Sequence, residues 1–228
     1  MNYVILLGYL IPFLPLLAFV IIIFLTRKFR LTSAVISISA ISISFILSCI
    51  ILFLRVNDVN VHNVMEYNLP WLYAGNLKIN FGILINNLTA IMLIIVTLVS
   101  MLVQIYSIGY MKDDEGFSRF FAFVSLFSFS MLGLVISNNL LQLYIFWELV
   151  GLCSYLLIGF WYYKPEAAEA AKKAFVVTRF GDFGFLIGII ILTTSAGTFN
   201  FLEIGQYLKA GNMSGMTLTI VVLLLFCG

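Results

Sequence analysis

LQLYIFWELVGLCSYLLIGFW, residues Leu141–Trp161, is long and apolar enough to cross a lipid bilayer, yet it carries a carboxylate, Glu148. The whole chain shares this character. Of its 228 residues 63% are hydrophobic and 10% charged, and the mean hydropathy is +1.13. Soluble domains run near a quarter charged, so the composition points to an all-α, polytopic transmembrane helical bundle. The formal charge of +2, with no long Lys/Arg run, offers nothing for nucleic acid. Cys49, Cys153 and Cys227 lie in apolar segments without metal-like spacing, and the one histidine, His62, sits in a polar loop; no metal site is expected. The first apolar segment is too long for a cleaved signal and is expected to remain as a helix.

Working outward from Glu148, apolar runs predict helices over roughly Val4–Leu25, Ser33–Leu54, Ile83–Ile108, Phe117–Ile136, Leu140–Tyr162 and Lys173–Thr194, with a seventh beginning near Met213. Pro12 and Pro15 should bend the first. Trp71–Tyr73 and Leu77–Phe81, flanking Ala74-Gly75-Asn76, predict a small hairpin at the membrane surface. Phe199–Leu208 reads as a short amphipathic helix on the interface. The chain divides into 1–82 (two helices and the hairpin loop), 83–116 (helix three and a loop) and 117–228 (helices four to seven). Arg27, Lys28, Arg30, Lys112, Arg119, Lys164, Lys172 and Lys173 fall on one side of the membrane, against Arg55, Lys78 and Lys209 on the other. The positive-inside rule then puts the amino terminus on the outer side. From Met213 to Gly228 a helix would rise about 24 Å, short of a hydrocarbon core of about 30 Å. The chain is therefore expected to be part of a longer protein.

Glu148 lies nine residues after Asn139 and thirteen before Trp161, about 13 and 20 Å along a helix. That is near mid-membrane, where a lipid-facing carboxylate costs several kcal/mol. It is expected to face protein or water, either protonated or paired with a cation. Arg179 and Asp182, three apart in VVTRFGDFGF, share a helix face about 9 and 14 Å beyond Lys173. They can neutralise each other. Lys173, on a face with Val176, Val177 and Phe180, is either a topology anchor or an entry point for protons. The polar KPEAAEAAKK before helix six is helix-prone and otherwise a solvated turn. Gly133, Gly151, Gly159, Gly181, Gly184 and Gly188 suggest close helix contacts. No phosphate loop, nucleophile triad or haem ligand set appears, so a proton pathway is the chemistry these charges suit.

The run YSIGYM…RFFAFVSLFSFSMLGLVISNNLLQLYIFWELVGLCSYLLIGFWYYKPEAAEAAKKAFVVTRFGDFGFLIG resembles the antiporter-like subunit L (subunit 5) family of proton-pumping NADH:quinone oxidoreductase, complex I. The likeness extends over nearly the whole chain and is most specific from Tyr106 to Gly188. It implies a larger inverted-repeat fold at the distal end of a membrane arm, with helices four to seven here forming most of the first repeat. It also implies a proton relay of Glu148, Arg179, Asp182 and Lys173. A further lysine in a broken helix seven, beyond Gly228, would pair with Glu148 and lose its proton when that pair breaks. Implied partners are the lipid bilayer and other membrane-arm subunits, which would hold the NADH, flavin, iron–sulfur and quinone sites; no cofactor is expected in this chain. The setting would be a respiratory energy-transducing membrane, bacterial or organellar. In ILINNLTAIM relatives commonly carry Asp where this chain has Asn86, which weakens any charged role there. Three alternatives stand: the large subunit of a multisubunit sodium/proton antiporter or membrane hydrogenase complex; a non-pumping scaffold of the membrane arm; and an autonomous small receptor or assembly factor.

Overall fold

In the computed structural model the described residues are 3–57, 64–74 and 77–228. His62 and the Gly75–Asn76 turn lie outside them. Eight helices and one hairpin follow in order: α1 (Tyr3–Ile21, extended by a π turn at Ile22–Thr26), α2 (Arg30–Val56), β1 (Met65–Ala74), β2 (Leu77–Ile85), α3 (Asn87–Tyr110), α4 (Phe117–Ile136), α5 (Leu140–Ile158), α6 (Pro165–Ala196), α7 (Phe201–Lys209) and α8 (Gly215–Phe226). Six of them are long and apolar enough to cross a membrane, and α8 is a shorter apolar helix. This is a multi-pass membrane protein.

The elements follow local chemistry. α1 continues through Pro12 and Pro15, both buried. Asn86, Asn139, Asn200 and Ser214 each cap the helix that follows, accepting a backbone N–H of its first turn. Gly197, at φ 72°, ends α6 in the left-handed region that an L side chain avoids. Asn86 therefore has a structural task, and its cap explains why α3 starts at Asn87 rather than at the expected Ile83. Residues Ile83–Ile85 instead finish β2, whose Ile83 and Ile85 are buried beneath α1 at Gly8.

Two other boundaries differ from the expectation. α6 begins at Pro165, not Lys173, because Pro suits a first helical position and PEAAEAAKK is rich in strong helix formers. Its 32 residues rise about 48 Å, so the polar first turns project past a hydrocarbon core. α5 ends at Ile158, where Gly159 closes against Ala171 of α6, and Tyr162 lies in the turn beyond. The hairpin is longer than predicted and is antiparallel throughout, with a bulge between Pro70 and Leu72. The amphipathic helix expected over Phe199–Leu208 is α7.

The packing forms three apolar clusters. One joins α1, α2, β2, α3 and α4 around Ile11, Ile41, Leu93 and Leu132. A second gathers Ile22, Met111, Phe117, Phe121 and Phe160 near the Arg27 side of the bundle. A third joins α5 to α8 around Phe185, Ile189, Leu192 and Val221. Along α2 the buried Ser33, Ser37, Ser44 and Ser48 let helices approach closely. Ser44 Oγ donates to Ile11 O at 2.9 Å, and Ser37 Oγ to Gln104 Oε1 at 2.8 Å.

Glycines thin the helix contacts as expected at several of the six positions. Gly188 meets Leu225, and Gly181 meets the backbone of Cys227. At Gly133 a Cβ would lie 2.2 Å from the Phe146 ring, itself wedged against Phe129 and Phe81. Gly133→Ala should cost about 1–3 kcal/mol through overpacking. It should lower the protein's thermal unfolding temperature, while Gly205→Ala, where a Cβ meets nothing within 4 Å, should not.

Candidate functional site

α5 and α6 pack side by side and bring three of the four predicted residues together. Glu148, on α5, forms an ion pair with Arg179 Nη1 of α6. The same Nη1 lies 3.3 Å from Asp182 Oδ2, one turn further along α6. Glu148 is thus paired with a cation, and that cation comes from the neighbouring helix. Arg179 and Asp182 share a face as their spacing predicted, and the guanidinium is divided between two carboxylates on two helices.

Two neighbours complete the cluster. Trp147 Nε1 donates to Asp182 Oδ1 at 2.8 Å, so both Asp182 oxygens are occupied. The Arg179 guanidinium carbon sits 4.5 Å from the centre of the Phe175 ring, a cation–π contact. Gly151 faces the guanidinium across α5, where a Cβ would lie at ordinary contact distance, 3.9 Å from Arg179 Nη2. Sequence reading missed Trp147 and Phe175. The signal for Trp147 was available: an indole N–H within a membrane span needs an acceptor, and a carboxylate was already predicted nearby.

Burial is uneven. The Asp182 side chain is 6% exposed, whereas those of Glu148 and Arg179 keep 26% and 29%. Asp182 is therefore the enclosed end of the cluster and Glu148 the reachable end. A cavity of about 420 Å³ adjoins it, lined by Trp147, Gly151, Ser154, Thr178 and Asp182 among others. Lys173 does not join the group. It is exposed, and among the described residues it forms no ion pair. Its helix face continues through the exposed Val176, Val177 and Phe180, away from the acids.

A second polar cluster, which sequence reading missed altogether, lies at the hairpin end. Glu66 Oε1, on β1, accepts from Asn68 at 3.1 Å, from Asn138 at 2.9 Å and from Asn200. Asn139 Nδ2 donates to Asn80 O at 2.8 Å, and Gly82 N to Gln142 Oε1 at 2.9 Å. The segment before α5 pairs with the segment before α7 through Leu140 N to Phe199 O and Phe201 N to Asn138 O. The hairpin, the start of α5 and the start of α7 are latched together, and α5 is the helix that carries Glu148.

Residues 71–121 match the family described as NADH-Ubiquinone oxidoreductase (complex I), chain 5 N-terminus, and residues 137–228 match NADH:quinone oxidoreductase/Mrp antiporter, TM. The chain belongs to the chain 5 family of complex I. The NAD(P)H-quinone oxidoreductase chain 5 of Synechocystis sp. is 46% identical over 233 residues, covering 97% of this chain and 34% of the relative. The chloroplastic NAD(P)H-quinone oxidoreductase subunit 5 of Mesostigma viride is 47% identical over 201 residues, covering 85% of this chain and 30% of the relative. The chain thus spans about a third of the length of these relatives. Among solved structures, a chain of the membrane-bound sulfane sulfur reductase, an archaeal respiratory membrane complex, superposes with a TM-score of 0.77 at 18% identity. That match covers 96% of this chain and 43% of the other, and it shows that the two chains share a fold.

Proposed function

We propose that this chain is part of a proton-translocating membrane-arm subunit of an NAD(P)H- or NADH:quinone oxidoreductase, and that Glu148, Arg179 and Asp182 form one station of its proton path. The observation that carries this reading is the single guanidinium shared between two carboxylates on adjacent helices. With both acids ionised the trio holds a net charge of −1 in a low-dielectric setting. That is an unfavourable state, relieved by one proton or by one additional cation. Glu148, the more exposed acid, is the residue at which the proton arrives. Asp182, held by Arg179 and Trp147, keeps the guanidinium oriented. The lysine that the family resemblance implies in helix seven would be the second cation, and its approach to or withdrawal from Glu148 would set when the proton leaves.

Lys173 is proposed as the entry point. It lies six residues before Arg179, about 9 Å along α6, in the part of the helix that continues into the polar overhang. The amino terminus is proposed to lie on the outer side, from the basic residues gathered on the Arg27 side. Redox groups and quinone are assigned to other subunits of the complex. Relatives named as chain 5, together with the chain 5 N-terminal match, favour this reading over a sodium/proton antiporter or a hydrogenase subunit.

Asp182→Asn in the full-length protein, assembled in its complex and reconstituted in vesicles, tests the reading against a structural scaffold. The proton-to-electron ratio should fall while the complex still assembles. Unchanged pumping with only a lower melting temperature would make these charges structural.

A further inference from the structure

At the Arg27 side, where α1 ends, α4 begins and α5 ends, two cavities share a wall. One is a polar cleft of about 460 Å³ lined by Arg27, Asp113, Glu115, Ser118, Arg119 and Tyr162, with neighbours. The other is an apolar groove of about 160 Å³ between Ile22 and Ile23 of the π turn and Ala122 and Phe123 of α4. Arg27, Ser118 and Arg119 line this groove as well.

The wall between them carries unsatisfied donors. Among the described residues Ser118 Oγ and Arg119 Nε are buried and have no hydrogen-bond partner, and Ser118 is only 5% exposed. Other α4 serines, such as Ser125, Ser128 and Ser130, spend their hydroxyls on the carbonyl four residues back. Ser118 is the second residue of α4 and has no carbonyl of that helix behind it. A buried hydroxyl and a buried guanidinium N–H without acceptors are costly, so the site calls for an acceptor-rich group.

Charge narrows the choice. Arg119 is held in place by its Nη2 donating to Phe160 O at 3.1 Å and by its stacking over Phe160 and Tyr162. Asp114 is already committed to Trp161 Nε1 at 2.7 Å and Gly116 N at 2.6 Å. Asp113 and Glu115 are exposed, and among the described residues neither forms an ion pair. Donors and cations therefore face free carboxylates across one cleft, beside an apolar slot, at the end of three spans ringed by Trp161, Tyr162 and Tyr163. Aromatic residues of this kind mark the headgroup level of a membrane.

We propose that this cleft binds a zwitterionic phospholipid with a primary ammonium headgroup: phosphate on Ser118, Arg119 and Arg27, ammonium on Asp113 and Glu115, one acyl chain along Ile22, Ile23 and Phe123. A phosphate satisfies both idle donors at once. A free phosphate would leave the slot and the carboxylates unused, and an anionic headgroup would meet the carboxylates with like charge.

The test uses the assembled complex containing the full-length protein, in vesicles carrying equal amounts of diazirine-bearing phosphatidylethanolamine or phosphatidylglycerol. After illumination, lipid adducts are mapped by peptide mass spectrometry. Phosphatidylethanolamine should label residues 22–27 and 117–123 several-fold more than phosphatidylglycerol does. Ser118→Ala with Arg27→Gln should reduce that labelling at least threefold. Asp113→Asn with Glu115→Gln alters only exposed side chains and should shift the preference toward phosphatidylglycerol. Equal labelling by the two lipids, a preference for phosphatidylglycerol in the unaltered protein, or labelling of other segments but not these overturns the proposal.

Discussion

Glu148→Gln in the full-length protein is expected to lower proton pumping and the coupled oxidoreductase rate together, by about tenfold or more, without loss of assembly. A tenfold change corresponds to about 1.4 kcal/mol, one unit of proton affinity. That is a small perturbation for a charge removed from a low-dielectric cluster. The substitution keeps the size of the side chain and much of its polarity but takes the Glu148–Arg179–Asp182 trio from −1 to neutral. Arg179 then pairs with Asp182 alone, and no position remains at which an arriving proton is favoured. Glu148→Asp restores the charge on a side chain one methylene shorter and should recover part of the rate. The measurement is the proton-to-electron ratio in vesicles alongside quinone reduction. Because a stalled proton path holds back the redox reaction coupled to it, adding an uncoupler should not restore the rate. Full stoichiometry in Glu148→Gln would remove Glu148 from the path.

Glu66→Ala should give the largest stability loss of any single change at the hairpin. One carboxylate oxygen accepts from Asn68, Asn138 and Asn200. Asn138 is fully buried. Truncation leaves the Asn200 amide without this acceptor and weakens the hold on Asn138, each such loss costing about 1–3 kcal/mol. A total of about 2–5 kcal/mol would be read as a lower temperature for loss of the assembled complex and as faster proteolysis of the hairpin. Glu66→Gln keeps an acceptor oxygen but not the charge, and should cost about 1 kcal/mol. If Glu66→Ala matched the unaltered protein in both measurements, the three segments would not be held by this carboxylate.

Glu148, Arg179 and Asp182 were legible in the sequence because an ionisable group in an apolar span is expensive, and a costly residue announces that something faces it. The spans were legible for a related reason, since bilayer thickness fixes how long an apolar run must be. What remained hidden depends on three-dimensional neighbours. Periodicity assigned Ile83–Ile85 to a helix because a short apolar run reads alike in helix and strand, and only the Asn86 cap separates them. The polar opening of α6 is helix-prone in Ala, Glu and Lys, but hydropathy alone marks only the apolar part and puts the start at Lys173. The Arg179 bridge from α6 to α5 could not be read from the spacing within either helix, so the partner of Glu148 stayed open between a proton and a cation. Glu66, Asn138 and Asn200 each look like ordinary loop polar residues, and nothing local tells that they meet.

That last meeting bears on how the protein is made. Glu66 and Asn200 are 134 positions apart. At ordinary elongation rates of about 5–20 residues per second, the ribosome needs on the order of ten seconds to travel from one to the other. For the later part of that interval the hairpin is complete but lacks its final fastening, which can close only once α6, which precedes Asn200, has been made. Insertion of the sixth span must therefore precede the hairpin's final fastening, and a chain stalled before it would present an unfastened hairpin to quality-control proteases.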